Sequence, residues 1–184
     1  MEERVTDAQW TGASAPYIRP NQGDAWGKEA TAQGRTGTQR ILFAGEVKAP
    51  AEVADALGVQ QTHPVIMRRR LILLDGTPVE LADSYWPLAV AADTALASPD
   101  KVKGGAPTLL ANLGYEPASV TENVRTRPAT PEELEALAMA DATEWVLTLC
   151  RTITDGSNHP YEVFVSVTPG RFGQLNYSMK VSRP

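Results

Sequence analysis

Four stretches of this sequence set charged side chains among apolar ones at a spacing of two. Between Val65 and Leu74, Arg68 and Arg70 run in phase with Ile66, Ile72 and Leu74. Glu122 runs in phase with Val120 and Val124, and Glu162 and Ser166 run in phase with Phe164. From Val79 to Trp86, Glu80, Ala82, Ser84 and Trp86 share one phase. Side chains alternate across a strand, so each set marks one face. Unpaired charges on a buried face cost several kcal/mol each. Such groups pair with one another, face water on an open sheet surface, or surround a polar ligand. A guanidinium offers a planar fork to a carboxylate or a hydroxyl-rich ligand, and glutamates accept from hydroxyls and amines. Arg70, Ser84, Glu122, Glu162 and Ser166 are the candidate ligand-binding residues on this reading.

No pattern marks a catalytic centre. There is no HExxH, paired CxxC, Walker loop, GxSxG or GxGxxG, and no two carboxylates have the spacing of an acid–base pair. His63 and His159 each precede a proline in a turn setting, which predicts surface residues rather than metal ligands or bases. Gly104-Gly105 reads as a flexible turn. No catalytic residue, metal or cofactor is expected. The single cysteine, Cys150, cannot form an internal disulfide or a cysteine zinc site and suits a reducing cytoplasm. A net charge of -5 makes the chain a poor partner for phosphate backbones. The first residues lack a signal-peptide pattern, and no apolar run approaches the roughly 18 residues of a membrane span. The 184 residues, 42% hydrophobic, suit one domain with a loosely packed end.

The elements that must position these groups are legible from residue 40 onward. Alternation predicts strands over 40–47, 65–74, 79–86, 119–127, 145–153 and 161–167, with Leu175, Tyr177, Met179 and Val181 as a closing strand. Asp75-Gly76 predicts a hairpin turn, and 155–158 a second one. Short helices are expected over 50–57, 87–96, 107–113 and 130–140, the last opened by the capping box of Thr130 to Glu133. Hairpins dominate, so the predicted class is α+β, with a mainly antiparallel sheet of about six strands and short helices. Residues 1–38 read as an arm or linker, although Trp10, Tyr17 and Trp26 are larger than a linker needs, and 23–26 is expected to dock on the body formed by 39–184.

The hairpin from Val65 to Pro87, with Arg70, Asp75-Gly76, Pro78 and Ser84-Tyr85, resembles the signature hairpin of the UTRA domain. That domain is the effector-binding module of HutC-subfamily GntR regulators and has a chorismate lyase-like fold. The resemblance continues through the helix ending at Leu113-Gly114, Glu122 to Arg127, the helix from Thr130, and Pro160-Tyr161-Glu162. It covers about residues 40–182. It implies a small-molecule effector, a homodimer, a cytoplasmic repressor, and DNA contact only through a winged helix-turn-helix placed before the domain, of which no pattern precedes the first strand. Glu162 matches a ligand-contacting glutamate of the family. Arg68, Tyr85, Arg127 and Thr168 are further candidates. Ile72 stands where phosphosugar-sensing members carry arginine, and Ala82 and Thr168 stand where the family pattern has glutamate and tyrosine, which points to a less anionic effector. A lyase-like enzyme and a purely structural dimerisation domain are the competing readings, because fold alone does not decide function.

Overall fold

A computed structural model of the chain describes residues 14–140 and 143–175. Six strands form one antiparallel sheet: β1 (Gly37–Lys48), β2 (Pro64–Leu74), β3 (Thr77–Pro87), β4 (Ser119–Pro128), β5 (Trp145–Thr154) and β6 (Pro160–Pro169). Their order is β1-β2-β3-β6-β5-β4, so two three-stranded units meet where β3 pairs with β6. Six short helices accompany them: α1 (Ala15–Ile18), α2 (Ala25–Ala32), α3 (Ala51–Leu57), α4 (Leu88–Ala91), α5 (Ala106–Asn112) and α6 (Pro131–Ala136). The class is α+β.

Local chemistry explains the main joints. Asp75 and Gly76 both take positive φ, 51° and 80°, as a type I′ hairpin turn requires. Gly58, at φ 68°, closes α3 in the left-handed conformation. The Thr130 hydroxyl accepts from Glu133 N, and the Glu133 carboxylate accepts from Thr130 N, so the capping box is complete.

The structure departs from the sequence expectations in three places, and a fourth expectation falls outside the described residues. A bulge between Ile41 and Phe43 breaks the alternation of β1, so these two residues take opposite faces. The helix from Thr130 stops at Ala136, because Ala138 turns left-handed and Met139 N bonds back to Leu134 O. The expected helix 87–96 is only α4 plus a 3-10 turn, Ala95–Ala97, which the Thr94 hydroxyl starts by accepting from Leu96 N. The expected closing strand lies, beyond Leu175, outside the described residues, as does Trp10.

Helices cover both faces. On one, α3 buries Val53, Ala54 and Leu57 against Val65, Tyr85 and Val163, while Leu137 and Met139 after α6 pack on Leu71, Leu81 and Val167. On the other, Val90, Leu96 and Leu110 pack on Ile66, Trp86 and Ile153. That second face is completed by the segment before β1, whose Trp26 packs with Ile72, Ala82 and Phe164 and donates from Nε1 to Leu73 O at 3.0 Å.

Candidate ligand site on the arm-covered sheet face

Strand register brings seven of the nine predicted residues to the face under α1, α2 and α5. Arg68 lies opposite Ser84, Ser84 opposite Phe164, Phe164 opposite Arg151, and Arg151 opposite Glu122. In the next row Arg70 lies opposite Ala82, and Ala82 opposite Ser166. Glu80 and Thr168 form a third row, and Glu162 lies beyond Arg151, opposite Ile153. Directly paired side chains start about 5 Å apart and diagonal ones about 7–8 Å, within reach of arginine and glutamate.

Tyr85 and Arg127 are not in this group. Tyr85 packs beside α3, with its hydroxyl 3.3 Å from Asp83, and Arg127 makes a fork to Glu133 at 2.6 and 2.7 Å. Both positions are odd-numbered on strands whose even-numbered residues carry the site, so alternation sends them to the far face.

The grouped charges are enclosed and incompletely bonded. Arg151 is 4% exposed, and its Nε has no hydrogen-bond partner. Its guanidinium lies 4.5 Å from the Phe164 ring centroid, a cation–π contact. The side chain of Arg70 keeps some exposure as a whole, but its Nε is shut off from solvent without a partner, and Nη2 donates to Ser84 Oγ at 3.3 Å. Glu122 Oε1 is likewise enclosed and unpartnered. Glu162 accepts from Trp86 Nε1 at 3.0 Å, and Glu80 accepts from Thr168 Oγ1 at 3.3 Å. Among the described residues, no ion pair within 4.0 Å joins these arginines to these glutamates. Burial pushes both Arg70 and Arg151 below the usual arginine value, with nearby glutamates opposing. Burial raises Glu80, with Arg70 opposing.

Arg68 differs. It donates to the carbonyls of Ala95, Ser98 and Asp100, the last at 2.6 Å, and so anchors the segment after α4. Burial and the neighbouring Arg70 both lower it. Arg151 and Glu80 were not among the sequence candidates, although each has the same period-two spacing. Arg151 runs in phase with Leu149 and Ile153, and Glu80 with Ala82 and Ser84.

The segment before β1 closes over the group. Tyr17 and Ile18 meet Leu110, Tyr115, Tyr161 and Glu162 around a void of about 10 Å³, room for one water. The Tyr17 hydroxyl donates to Glu29, and Trp26 lies over Ala82 and Phe164. A larger cleft of about 160 Å³ opens on the far face beside Cys150, Glu52 and Arg125. It is the lesser candidate, because Glu52 and Arg125 are exposed and already pair loosely at 3.7 Å. Among the described residues, no cluster of histidine, cysteine and carboxylate side chains could hold a metal ion.

Comparison with known proteins gives a consistent picture. The family model described as "UTRA domain" matches residues 32–172. An uncharacterized HTH-type transcriptional regulator of Streptomyces coelicolor is 31% identical over 138 residues, 73% of this chain and 51% of that protein. The chain thus spans about half the length of the curated relative it matches. Among solved structures, a Streptomyces coelicolor protein assigned to the transcriptional regulators superposes with a TM-score of 0.67 at 28% identity, over 82% of this chain and 97% of that one. The effector domain of PhnF from Mycobacterium smegmatis shares the fold, with a TM-score of 0.66 at 21% identity, over 81% of this chain and 90% of that one.

Proposed function

The chain belongs to the UTRA domain family, and from that premise we propose that it senses a small-molecule effector on behalf of a GntR-type transcription regulator of the HutC subfamily. The observation that carries this reading is the set of enclosed, partly unpartnered charges around Arg70 and Arg151, on one sheet face within the matched region. A protein keeps buried polar atoms unsatisfied at a cost, and functional sites are where that cost is tolerated. The effector supplies the missing partners. Arg70, Glu80, Glu122, Arg151 and Glu162 contact it, Ser84, Ser166 and Thr168 shape its floor, and Arg68 holds the wall.

In the whole regulator, DNA contact comes from a winged helix-turn-helix preceding this domain, and the domain dimerises so that two heads read a palindromic operator. Residues 1–38 act as the connecting arm and 39–184 as the sensing body. The effector acts by favouring one arrangement of the domain over another, which shifts operator affinity, as in a cytoplasmic repressor. The relatives are regulators, which favours sensing over a lyase-like reaction on the same fold.

A thermal-shift screen of small metabolites tests the reading, because a ligand specific to the folded state at a hundredfold over its Kd stabilises by about 2.7 kcal/mol. Arg70→Ala and Glu162→Ala should abolish the response to any hit. Folded variants that bind a hit as well as the parent place the site elsewhere.

A further inference from the structure

We propose that the segment 15–32 is a tethered plug whose Trp26 occupies the effector's place on the sheet, so that docking of the arm and binding of the effector exclude one another. The proposal rests on the sensing reading above and specifies how that site is regulated.

Register places the indole between two enclosed donors. Arg70 stands on β2 and Arg151 on β5, and β3 and β6 are the strands between them. Trp26 packs on Ala82 and Phe164 of those middle strands. Ala82 lies directly opposite Arg70, and Phe164 directly opposite Arg151. A molecule that reached both Nε–H groups would lie across the same two residues. The plug covers these donors without bonding them. An indole has one donor and no acceptor, and Trp26 Nε1 already donates to Leu73 O. Tyr17, the arm's other ring on this face, gives its hydroxyl proton to Glu29. Arg70 Nε and Arg151 Nε are thus shut off from water with no acceptor in its place, the arrangement in which a buried polar group costs most. A ligand with an apolar body and carbonyl or carboxylate oxygens takes the indole's place on Ile72, Ala82 and Phe164 and supplies the acceptors that the indole lacks.

The arm can leave without damage to the sheet. Strand pairing begins only at Gly37. Among the described residues, two hydrogen bonds tie 15–32 to the body: Asn21 N donates to Thr108 Oγ1 at 2.9 Å, and Trp26 Nε1 to Leu73 O. Between α2 and β1, Gly34 takes φ 70° with open space where a Cβ would stand, so the hinge is unencumbered. Past the hinge the chain is pinned, because Arg35 Nε and Thr36 N both donate to the Asp75 carboxylate, at 2.7 and 2.8 Å. Motion is therefore confined to the plug. The UTRA match begins at residue 32, the last of α2, so the plug precedes the region that this chain shares with the family. On the sensing reading, displacing the plug frees the stretch of chain that leads back toward the DNA-binding heads, and the effector acts on them through it.

The test uses indole-3-acetate and 3-methylindole as probes. Both carry the ring of Trp26, and only the first adds acceptors. Their binding to the parent chain and to Trp26→Ala is measured by calorimetry, and exchange of the α2 amides is followed alongside. The variant should bind indole-3-acetate about tenfold or more tightly than the parent does, because a site open a tenth of the time or less loses that factor. It should bind 3-methylindole more weakly than indole-3-acetate. On the parent, bound indole-3-acetate should speed exchange in α2 while β3 and β6 stay protected; this measurement stands even if Trp26→Ala fails to fold. Slower α2 exchange on binding would make the arm a lid that closes over its ligand, and it overturns the plug while leaving the site in place. Equal affinity in parent and variant, or a folded Trp26→Ala that binds neither ring, also overturns the plug and leaves the sensing site to the metabolite screen. A variant that binds both probes equally shows that the arginines receive no ligand, which sinks the sensing site and the proposal with it.

Discussion

Replacing Asp83 by alanine should destabilise the chain by about 2–3 kcal/mol. Asp83 is 7% exposed on the face away from the site. It accepts from Arg69 Nε at 2.8 Å and from Arg69 Nη2 at 2.7 Å, with the Tyr85 hydroxyl 3.3 Å away. Breaking a buried pair by removing one partner costs about 3–5 kcal/mol, because the other charge is stranded. Arg69 is not fully stranded. Its side chain keeps 27% exposure and a second partner in Glu132, itself 71% exposed. That rehydration brings the cost down to about 2–3 kcal/mol, or roughly a 5–10 °C fall in Tm for a domain of this size. Urea unfolding followed by both circular dichroism and tryptophan fluorescence reads it, provided the m-value is unchanged. The double variant Asp83→Leu with Arg69→Met should recover most of the loss, since apolar replacement of both partners is close to neutral. A single-variant cost below about 1 kcal/mol would refute the reasoning that Asp83 and Arg69 form a satisfied, structural ion pair on this face.

Other consequences follow from neighbouring parts of the fold. Thr130→Ala removes half of the capping box and should cost about 1 kcal/mol in the same unfolding assay; no change would mean that packing of Leu137 alone sets α6. Glu133 is pushed up by burial, but the Arg127 fork and the Thr130 N–H outweigh it and hold the carboxyl below its ordinary value near 4.5. A depressed folded value stabilises above the unfolded one, so stability should fall as pH drops below about 4.5, and Arg127→Gln should flatten that fall; parallel pH profiles for parent and variant would contradict the assignment. A Cβ at Gly37 would lie 2.8 Å from both Ala30 Cβ and Trp26 Nε1. Gly37→Ala should therefore loosen the segment 15–32, seen as faster amide exchange there with β3 and β6 still protected. Trp26→Ala should do the same and admit effectors more readily; unchanged exchange in both variants would show that the arm is not held by this contact.

The sheet was legible in the sequence wherever one face is buried and the turn chemistry is explicit. Val65 to Trp86 is the clearest case, because Asp75-Gly76 fixes the register and alternation then assigns Arg70 and Ser84 to one face. Alternation failed at β1, where the bulge after Ile41 depends on pairing with Arg69 and Arg70 and leaves no local mark. The length of the helix from Thr130 was overread, because alanine-rich sequence carries helix propensity past Leu137 while tertiary packing turns the chain at Ala138. For the site, period-two spacing named the face but not the partners. Tyr85 and Arg127 entered as candidates although the same alternation sends them across the sheet. Arg151 was passed over because a lone arginine between Cys150 and Thr152 shows its burial only when β5 lies between β4 and β6. The closure by Tyr17 and Trp26 depends on contacts more than forty positions away in sequence and could be anticipated only from their size.

The central claim is that enclosed, unpartnered donors on this face receive the effector. Arginine Nε–Hε resonances in a ¹H–¹⁵N spectrum report those atoms directly, titrated with the first compound that raises the melting temperature. The account predicts that the Arg70 and Arg151 signals move and become protected from exchange, while those of Arg69 and Arg127, already paired on the other face, stay in place. Movement confined to Arg125 and Arg127, beside the Cys150 cleft, would contradict it.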